Sequence, residues 1–358
     1  MNSISGRGAI RGRGARSNIS HRFQRRSVVA EPAEAVDGEP PVTQVLPVRA
    51  RSVITRNRSP DVGFNLSVNP YQGCEHGCVY CFARPSHAYH DLSPGLDFET
   101  RILAKTNAVD CFVRELAAPS YRCEPIAIGV NTDAYQPAER DLRITRGLLE
   151  TCLARRQPAI LITKSRLILR DKDLLAELAR LRLVRVAVSL TTLDHDLKRR
   201  LEPRTAGPGA RLGVIGELAG AGVPVSVMVA PIIPRINDAE MERILAAAAA
   251  RGARSASYVL LRLPDEVEPL FRDWLAVHFP ERARAVMGIL QDCHRGKAYR
   301  SAFHTRMRGE GEFAEIIGQR FAVARRRAGL DRQLEPLDTS RFVRVRKEPE
   351  TGGQLDLF

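Results

Sequence analysis

The sequence predicts an α/β fold: a partial (βα)6 barrel, TIM-like but with six units, followed by a C-terminal helical extension and flanked by disordered termini. Short apolar runs bounded by turn signals alternate with segments of helical periodicity, a pattern typical of parallel strands covered by crossover helices. Six such runs occur where a closed barrel of this kind has eight, and this count favours an open barrel.

The predicted strands and helices lie in one continuous part of the chain. The strands are Phe64–Val68, Pro125–Val130, Ala159–Thr163, Val184–Leu190, Val223–Ala230 and Ser257–Leu263. The helices between them are Glu99–Leu116, Ala138–Arg155, Lys172–Leu181, Gly209–Ala221 and Asp238–Ala250. Three further amphipathic helices follow, at Pro269–Phe279, Glu281–Arg295 and Phe313–Arg327. Ligands bind such sheets at the carboxyl ends of the strands, so we expect the functional site at that edge, which we call the mouth.

Composition divides the chain into four regions. Residues 1–45 form an Arg/Gly-rich arm with little apolar surface, so we expect this arm to be disordered and either to contact phosphates or to act as a solubilising tail. Residues 46–263 hold the barrel, and residues 264–332 form a basic helical region that could cap it. Residues 333–358 are expected to be a flexible tail.

The stretch Asn69–Arg84 carries the strongest chemical signal. Three thiols lie within eight residues, at Cys74, Cys78 and Cys81. Gly73 and Gly77 mark the intervening chain as a loop, and the loop directly follows the first predicted strand. Three thiolates can bind a four-iron cluster and leave its fourth iron open to a small molecule.

The residues alone leave two other interpretations of these cysteines open. A structural zinc site needs four ligands, so one of three nearby histidines would have to complete it: His76, His87 or His90. The cysteines could also be buried and inert, although free thiols seldom crowd in this way without a metal.

Polar residues follow several predicted strands at the mouth. They are Asn131, Thr132, Asp133, Tyr135, Gln136 and Glu139 after the second strand, Thr163–Ser165 after the third, Ser189, Thr191 and Thr192 after the fourth, and Pro231–Asp238 after the fifth. Such cations, acceptors and hydroxyls suit a small, polar, charged ligand. Alternatively, Asn237, Thr191 and Asp171 could each cap a helix.

The Cys-x3-Cys-x2-Cys spacing, with Tyr80 directly before the last cysteine, resembles that of radical S-adenosylmethionine (SAM) enzymes. The resemblance implies a [4Fe–4S] cluster on the three cysteines and SAM bound to the open iron. It also implies reductive cleavage of SAM to a 5′-deoxyadenosyl radical, and therefore an electron donor such as a flavodoxin or ferredoxin.

The core, roughly Val53 to Gly329, is similar to the spore photoproduct lyase-related branch of these enzymes. The similarity lies in the cysteine loop and in the strand-end residues. It implies that Tyr80 packs near the adenine of SAM, that Thr132 helps to hold the methionine end, that Lys164 pairs with the carboxylate and that Ser189 contacts the ribose. Asp133, in the same motif as Thr132, is also expected in the SAM site.

One departure from that branch concerns the hydrogen donor. Authentic spore photoproduct lyases carry a cysteine at the end of the second strand, whereas this chain has Val130 and Asn131 there. The nearest thiol, Cys123, precedes the strand. The resemblance therefore implies the radical chemistry but leaves the catalytic hydrogen donor unknown.

Charge and the C-terminal residues point to DNA. The net charge of +14, from 55 Lys+Arg and 41 Asp+Glu, favours a polyanionic partner, with general solubility as the alternative. The pentapeptide Gln354–Phe358 resembles the peptide by which bacterial DNA polymerases and repair proteins dock on the sliding clamp. The other reading is a tail that folds back on its own domain.

These features together predict a lyase-like radical SAM enzyme that repairs DNA lesions. The alternatives are radical modification of RNA or protein, and a clamp-associated iron–sulfur DNA-binding protein without turnover. We expect no membrane span, because no run of about 20 apolar residues occurs. We expect a cytoplasmic protein, because the cysteine usage fits a reducing compartment. The seven cysteines form no disulfide framework, and the N-terminus has no apolar signal segment.

Overall fold

The computed structural model describes residues 10–24 and 41–344. Within these residues the strands are β1 (Gln44–Val48), β2 (Ile54–Arg56), β3 (Leu66–Val68), β4 (Tyr71–Gln72), β5 (Arg101–Lys105), β6 (Ile126–Ile128), β7 (Ala159–Thr163), β8 (Val184–Ser189), β9 (Val225–Ile232) and β10 (Ser255–Leu260). Seven of them form the central sheet, in the order β10-β9-β8-β7-β6-β3-β2.

The central sheet is parallel except at one edge. Neighbouring strands from β3 to β10 pair in parallel, whereas β2 pairs with β3 in the antiparallel sense. All three residues of β3 and of β6 are buried, as expected for strands covered on both faces. The six parallel strands match the six predicted runs to within a few residues, so the predicted partial barrel is confirmed.

Helices cover the outside of the sheet and continue beyond it. In the described residues they are α1 (Leu96–Thr100), α2 (Ala108–Ala117), α3 (Glu139–Leu142), α4 (Ile144–Arg155), α5 (Lys172–Arg180), α6 (His195–Leu201), α7 (Pro208–Gly220), α8 (Met241–Ala250), α9 (Val267–His278), α10 (Pro280–Cys293) and α11 (Glu312–Arg327). The last three are the predicted C-terminal helices. None of the described helices is long and apolar enough to cross a membrane.

One predicted helix is wrong at its beginning. The segment Glu99–Leu116 was expected to be a single helix, but it contains the end of α1, the whole of β5 and most of α2. β5 pairs with β1 in parallel and with β4 in the antiparallel sense, which makes a small second sheet. A short apolar run such as Ile102–Ala104 fits a helical face as well as a strand, so periodicity alone could not separate the two.

Part of the region predicted to be disordered is folded. Residues 10–24, which we call the N-terminal arm, contain the buried side chains of Arg13, Ala15 and His21. Farther along, β1 begins at Gln44, inside the same predicted region. The arm has little apolar surface, but its backbone and arginines find buried hydrogen-bonding partners, and a composition argument does not count these.

A flexible tail was predicted for residues 333–358, and its described part, residues 333–344, is bonded to the barrel. Residues 331–344, which we call the strap, run along the amino ends of the barrel strands. The strap bonds to residues just before or at the start of three strands, with Val343 N donating to Arg155 O (2.8 Å), Asp338 N to Arg182 O (3.0 Å) and Ser255 bridging to Asp331. The Gln354–Phe358 peptide lies outside the described residues.

An aromatic contact fixes the far end of the strap. The rings of Phe342 and Tyr121 lie 5.4 Å apart, and the Arg344 guanidinium donates to the carbonyl of Tyr121 at 2.7 Å. We expect Phe342→Ala to lower the free energy of unfolding by about 1–2 kcal/mol, because a half-buried aromatic side chain is lost. Urea unfolding would measure the change.

Val343 offers a matched control for this prediction. Its side chain is 46% exposed, and its contact with the barrel is made by the backbone amide. Val343→Ala should therefore leave the free energy of unfolding almost unchanged. An equal effect of the two substitutions would show that the strap is not anchored by its aromatic ring.

Candidate functional site

The cysteine loop, residues 73–84, leaves β4 at the mouth of the barrel. Gly73 and Gly77 adopt φ angles of 77° and 66°, a left-handed conformation that glycine takes with little strain. The Cys74 amide donates to the Phe98 carbonyl at 2.8 Å, which ties the loop to α1. The loop is irregular, so its shape depends on its contacts with neighbouring segments of the chain.

The three thiols lie together and are free of disulfides. Cys74 and Cys78 are each 7% exposed, and Cys81 is half-buried and packs against the two apolar clusters that contain them. Burial raises the pKa of Cys74, and the nearby Asp133 and the other thiols raise it further. Burial, followed by the charge of Glu202, raises the pKa of Cys78 to about 12. Cys74 and Cys78 therefore need a cationic centre before they ionise.

The donor set fits an iron–sulfur cluster. Among the described residues, no three His, Cys, Asp or Glu side chains converge as ligands of one metal ion do. In a four-iron cluster each thiolate binds a different iron, so the three sulfurs need not converge on one point. Three free, mostly buried thiols on one glycine-bearing loop meet that requirement.

Gln136 holds the loop on both sides of Cys74. Its side chain is fully buried, and it accepts a hydrogen bond from the Glu75 amide (3.0 Å) and donates one to the Gly73 carbonyl (3.1 Å). Gln136 follows β6, so the barrel strand that precedes it positions the first thiol.

Asp133 forms a second anchor after the same strand. Its carboxylate accepts from the Thr163 hydroxyl and from the Lys164 amide, both at 2.8 Å, and lies 3.3 Å from Nδ1 of His76. Burial opposes ionisation, but His76 and the backbone donors outweigh it and lower the pKa of Asp133 to about 2. The carboxylate predicted to belong to the SAM site thus joins the ends of two strands to the cysteine loop.

A buried ion pair supports the other half of the loop. Glu202 and Arg211 are in contact, with 0% and 2% of their side chains exposed, and Glu202 also accepts hydrogen bonds from the hydroxyls of Tyr80 and Thr191. Burial opposes the charge of Glu202, but Arg211 and Lys164 lower its pKa to about 2. Tyr80 is therefore held by its hydroxyl, beside Cys81.

Lys164 presents its ammonium group toward this network without a fixed partner. Its Nζ lies 5.9 Å from the centre of the Tyr80 ring and makes no ion pair or hydrogen bond within the described chain. Burial disfavours its charge, but Cys78 and Glu202 outweigh that effect and raise the pKa of Lys164. The ammonium group is thus charged and available to a carboxylate ligand.

Two other predicted SAM contacts also have hydrogen-bond partners within the chain. The Thr132 hydroxyl donates to the Tyr71 carbonyl at 2.7 Å, and the Ser189 hydroxyl donates to the Ala230 carbonyl at 3.2 Å. Each residue is only 2% exposed. Asn237, considered as a helix cap, instead donates to the Thr191 and Pro231 carbonyls through its side chain.

Sequence reasoning missed the charged residues that support the loop. Arg84, the last residue of the loop, donates to the Cys78 carbonyl at 3.0 Å and pairs with Glu99, and neither side chain is exposed. Glu202 and Arg211 were missed in the same way. Each looks like an ordinary surface charge in the sequence, because the partners that bury it are identified only by the fold.

An open parallel barrel with a three-thiol loop at its mouth defines the class of the protein. The family model described as the Radical SAM superfamily matches residues 68–248, just over half of the chain. The chain therefore belongs to the radical SAM superfamily, as its cysteine spacing predicts. Enzymes of this superfamily use a [4Fe–4S] cluster and SAM.

Curated relatives extend this likeness across bacteria and archaea. Uncharacterized proteins of Mycobacterium bovis and Mycobacterium tuberculosis are each 41% identical to the chain over 220 residues, 61% of this chain and 65% of each relative. An uncharacterized protein of Methanocaldococcus jannaschii is 27% identical over 197 residues, 55% of this chain and 71% of the relative. The chain thus spans 65% of the length of the mycobacterial proteins.

Solved structures share the fold. Spore photoproduct lyase complexed with dinucleoside spore photoproduct has a TM-score of 0.58, with 15% identity over 79% of both chains. A variant of that lyase with bound AdoMet and the same dinucleoside has a TM-score of 0.56 and 14% identity over 79% of both chains. The predicted resemblance is confirmed at the level of the fold.

Removing the Glu202 charge tests how the loop is supported. We expect Glu202→Gln to lower the free energy of unfolding by about 3–5 kcal/mol, because Arg211 would remain buried without its counter-ion. Urea unfolding of the apo-protein would measure this. The matched control is Glu217→Gln, whose carboxylate forms an exposed pair with Lys172 and should matter little. A similar effect of both substitutions would contradict the role assigned to the buried pair.

Proposed function

We propose that the chain is a radical SAM enzyme that acts on nucleic acid, and that its reaction is the repair of a lesion in DNA. The observation that carries the substrate class is a cluster of aromatic and arginine side chains next to the cysteine loop. We call this cluster the aromatic rim, and it consists of Phe82, Arg262, Tyr299, Phe303 and Arg306. The fold of spore photoproduct lyase and the net charge of +14 support the same substrate.

Two rings of the aromatic rim are exposed beside guanidinium groups. Phe82, which directly follows Cys81, is 43% exposed, and the Arg262 guanidinium lies 4.5 Å from its ring centre. Phe303 is 51% exposed, with Arg306 at 4.9 Å. Unpaired bases stack on such rings and on guanidinium planes. The rim therefore suits an unstacked base held close to the thiols.

The charge of Arg262 is suited to a phosphate. Its guanidinium makes no ion pair among the described residues, and its closest charged neighbour in the rim, Arg306, is already paired with Asp61 at 2.5 Å. Burial, followed by the charge of Arg306, lowers the pKa of Arg262, while Tyr299 and Asp61 act in the opposite direction. A half-buried cation that has no ion-pair partner is stabilised when an anion binds it.

The positions of the site residues support the following roles. Cys74, Cys78 and Cys81 would hold the [4Fe–4S] cluster, which supplies the electron that cleaves SAM to a 5′-deoxyadenosyl radical. Lys164 would bind the SAM carboxylate through its uncommitted ammonium group. Tyr80, fixed by Glu202, would form a wall of the same pocket. These residues orient the cofactor, and the aromatic rim orients the base.

Partners beyond the substrate are part of this proposal. The chemistry requires an external one-electron donor, which a flavodoxin or ferredoxin would provide. Docking on the sliding clamp through Gln354–Phe358 would bring the enzyme to DNA, and this peptide lies outside the described residues. The hydrogen donor would differ from that of the lyase branch, because Asn131 follows β6 and its amide is bonded to the Asn69 side chain at 2.9 Å.

The reaction can be tested by following hydrogen from the substrate. Reduced, cluster-loaded protein should release 5′-deoxyadenosine from SAM, and deuterium should move into it from labelled, ultraviolet-damaged DNA but not from RNA or peptide. Mass spectrometry of the nucleoside would measure both. Transfer of deuterium from RNA or peptide would show that the substrate is not DNA. Protein with a full cluster that released no 5′-deoxyadenosine would instead indicate a non-catalytic DNA-binding protein.

The aromatic rim can be tested by binding alone. Arg262→Gln should weaken binding to a short DNA single strand and reduce the slope of log Kd against log salt by about 1, because one phosphate contact is lost. Fluorescence anisotropy at several salt concentrations would measure this. Arg180→Gln, an exposed arginine at the end of α5, removes the same charge away from the rim and serves as the control. Equal slopes for the two variants would refute the proposed surface.

A further inference from the structure

The N-terminal arm lies directly against the cysteine loop. A Cβ atom added to Gly14 would lie 1.9 Å from the carbonyl oxygen of Gly77, the residue just before Cys78. A Cβ added to Gly77 would in turn lie 2.7 Å from Oε2 of Glu99. Glycine is therefore required at both positions for the arm, the loop and the carboxylate to meet.

Glu99 connects the arm to the loop. Its carboxylate accepts hydrogen bonds from the amides of Gly14 (3.0 Å) and Ala15 (2.8 Å), and it pairs with Arg84 at 2.5 Å. Arg84 binds the Cys78 carbonyl through Nε at 3.0 Å. One fully buried carboxylate thus links the backbone of the arm, through a single guanidinium, to the backbone of a proposed cluster ligand.

Arg13 adds a second link from the arm. Its side chain is buried and donates to the Glu99 carbonyl at 3.0 Å and to the Thr43 hydroxyl at 3.0 Å. The Thr43 hydroxyl donates in turn to Glu75, which lies between Cys74 and His76. The arm therefore reaches both ends of the Cys74–Cys78 segment.

The rest of the arm is anchored away from the thiols. Arg16 forms an ion pair with Asp273 of α9 at 2.7 Å, and Ser93 exchanges two hydrogen bonds with the backbone of Ile19, at 2.9 and 2.8 Å. These contacts fix the arm along its length, so its position over the loop does not depend on Gly14 alone.

We propose that the N-terminal arm is a built-in cover of the cluster site. It positions Gly77, and through it Cys74 and Cys78, and it shields this flank of the loop from water and oxidants. The proposal rests on the assignment of the three thiols as cluster ligands. Residues that surround metal ligands and exclude solvent commonly set how firmly the metal is held.

The test uses the full-length chain and one added methyl group. Gly14→Ala places a side chain into the Gly77 carbonyl and should displace the arm, whereas Gly209→Ala adds a methyl group that meets nothing within 4 Å. Two rates are measured: alkylation of Cys78 by iodoacetamide in the apo-protein, and loss of iron to a chelator from the reconstituted protein. We expect both to rise by about tenfold in Gly14→Ala and to stay unchanged in Gly209→Ala.

An internal reference separates a local effect from general instability. Cys152 is fully buried in α4, away from the arm, so its alkylation should stay slow in both variants. If Cys152 became reactive as well, Gly14→Ala would be unfolding the whole domain. Arg13→Ala adds no atom against Gly77 but removes the hydrogen bonds that hold the arm to Glu99 and Thr43. It would then decide the matter by raising the reactivity of Cys78 while Cys152 stays slow.

The outcomes for the arm and for the proposed function are distinct. An unchanged rate of Cys78 alkylation in both Gly14→Ala and Arg13→Ala would contradict the proposal that the arm covers the loop, whatever the iron content. Wild-type protein that takes up no iron on reconstitution would instead contradict the proposed cluster site, and the alkylation rates would still decide whether the arm covers the loop.

Discussion

The cysteine loop depends on buried charges that lie outside it. An irregular loop cannot hold three thiols at fixed positions through its own few backbone hydrogen bonds. Besides Gln136 and Asp133, two buried carboxylates constrain it. Glu99 acts through Arg84 on the carbonyl of Cys78, and Glu202 acts on the hydroxyl of Tyr80. Burying such charges is costly, and their close pairing offsets that cost. The pairs fix the orientation of the loop groups that they contact, because each guanidinium binds its partners in a fixed geometry.

The barrel brings these supports together from distant parts of the sequence. Gln136 and Asp133 follow β6, Lys164 follows β7, and Glu202 lies at the end of the helix after β8. Parallel strands place all of these segments at one edge of the sheet. The site therefore combines a local motif, the thiols, with a framework that only the folded chain provides. The aromatic rim extends this arrangement to the last strand, where Arg262 follows β10 and meets the ring next to Cys81.

Sequence reasoning succeeded where the signal was local. The cysteine spacing lies within eight residues, and apolar runs located all six barrel strands, including Ala159–Thr163 to the residue. It failed where a partner was remote. Glu202 meets a tyrosine 122 positions away, and the N-terminal arm meets Glu99 about 85 positions away. A composition argument predicts disorder for Arg13–Ala15 because it counts apolar surface, whereas this segment is held by hydrogen bonds to a buried carboxylate.

The strap has a consequence for how the molecule forms. It joins chain that is synthesised late to the amino ends of strands made much earlier: Val343 bonds to Arg155, and Asp338 bonds to Arg182. Contacts between residues so far apart require the closure of a long loop, which slows their formation. On the ribosome, the barrel could assemble strand by strand, but these contacts would form only after residues 331–344 had left the exit tunnel. Late closure of this kind would leave a nascent chain dependent on its surroundings for protection against aggregation.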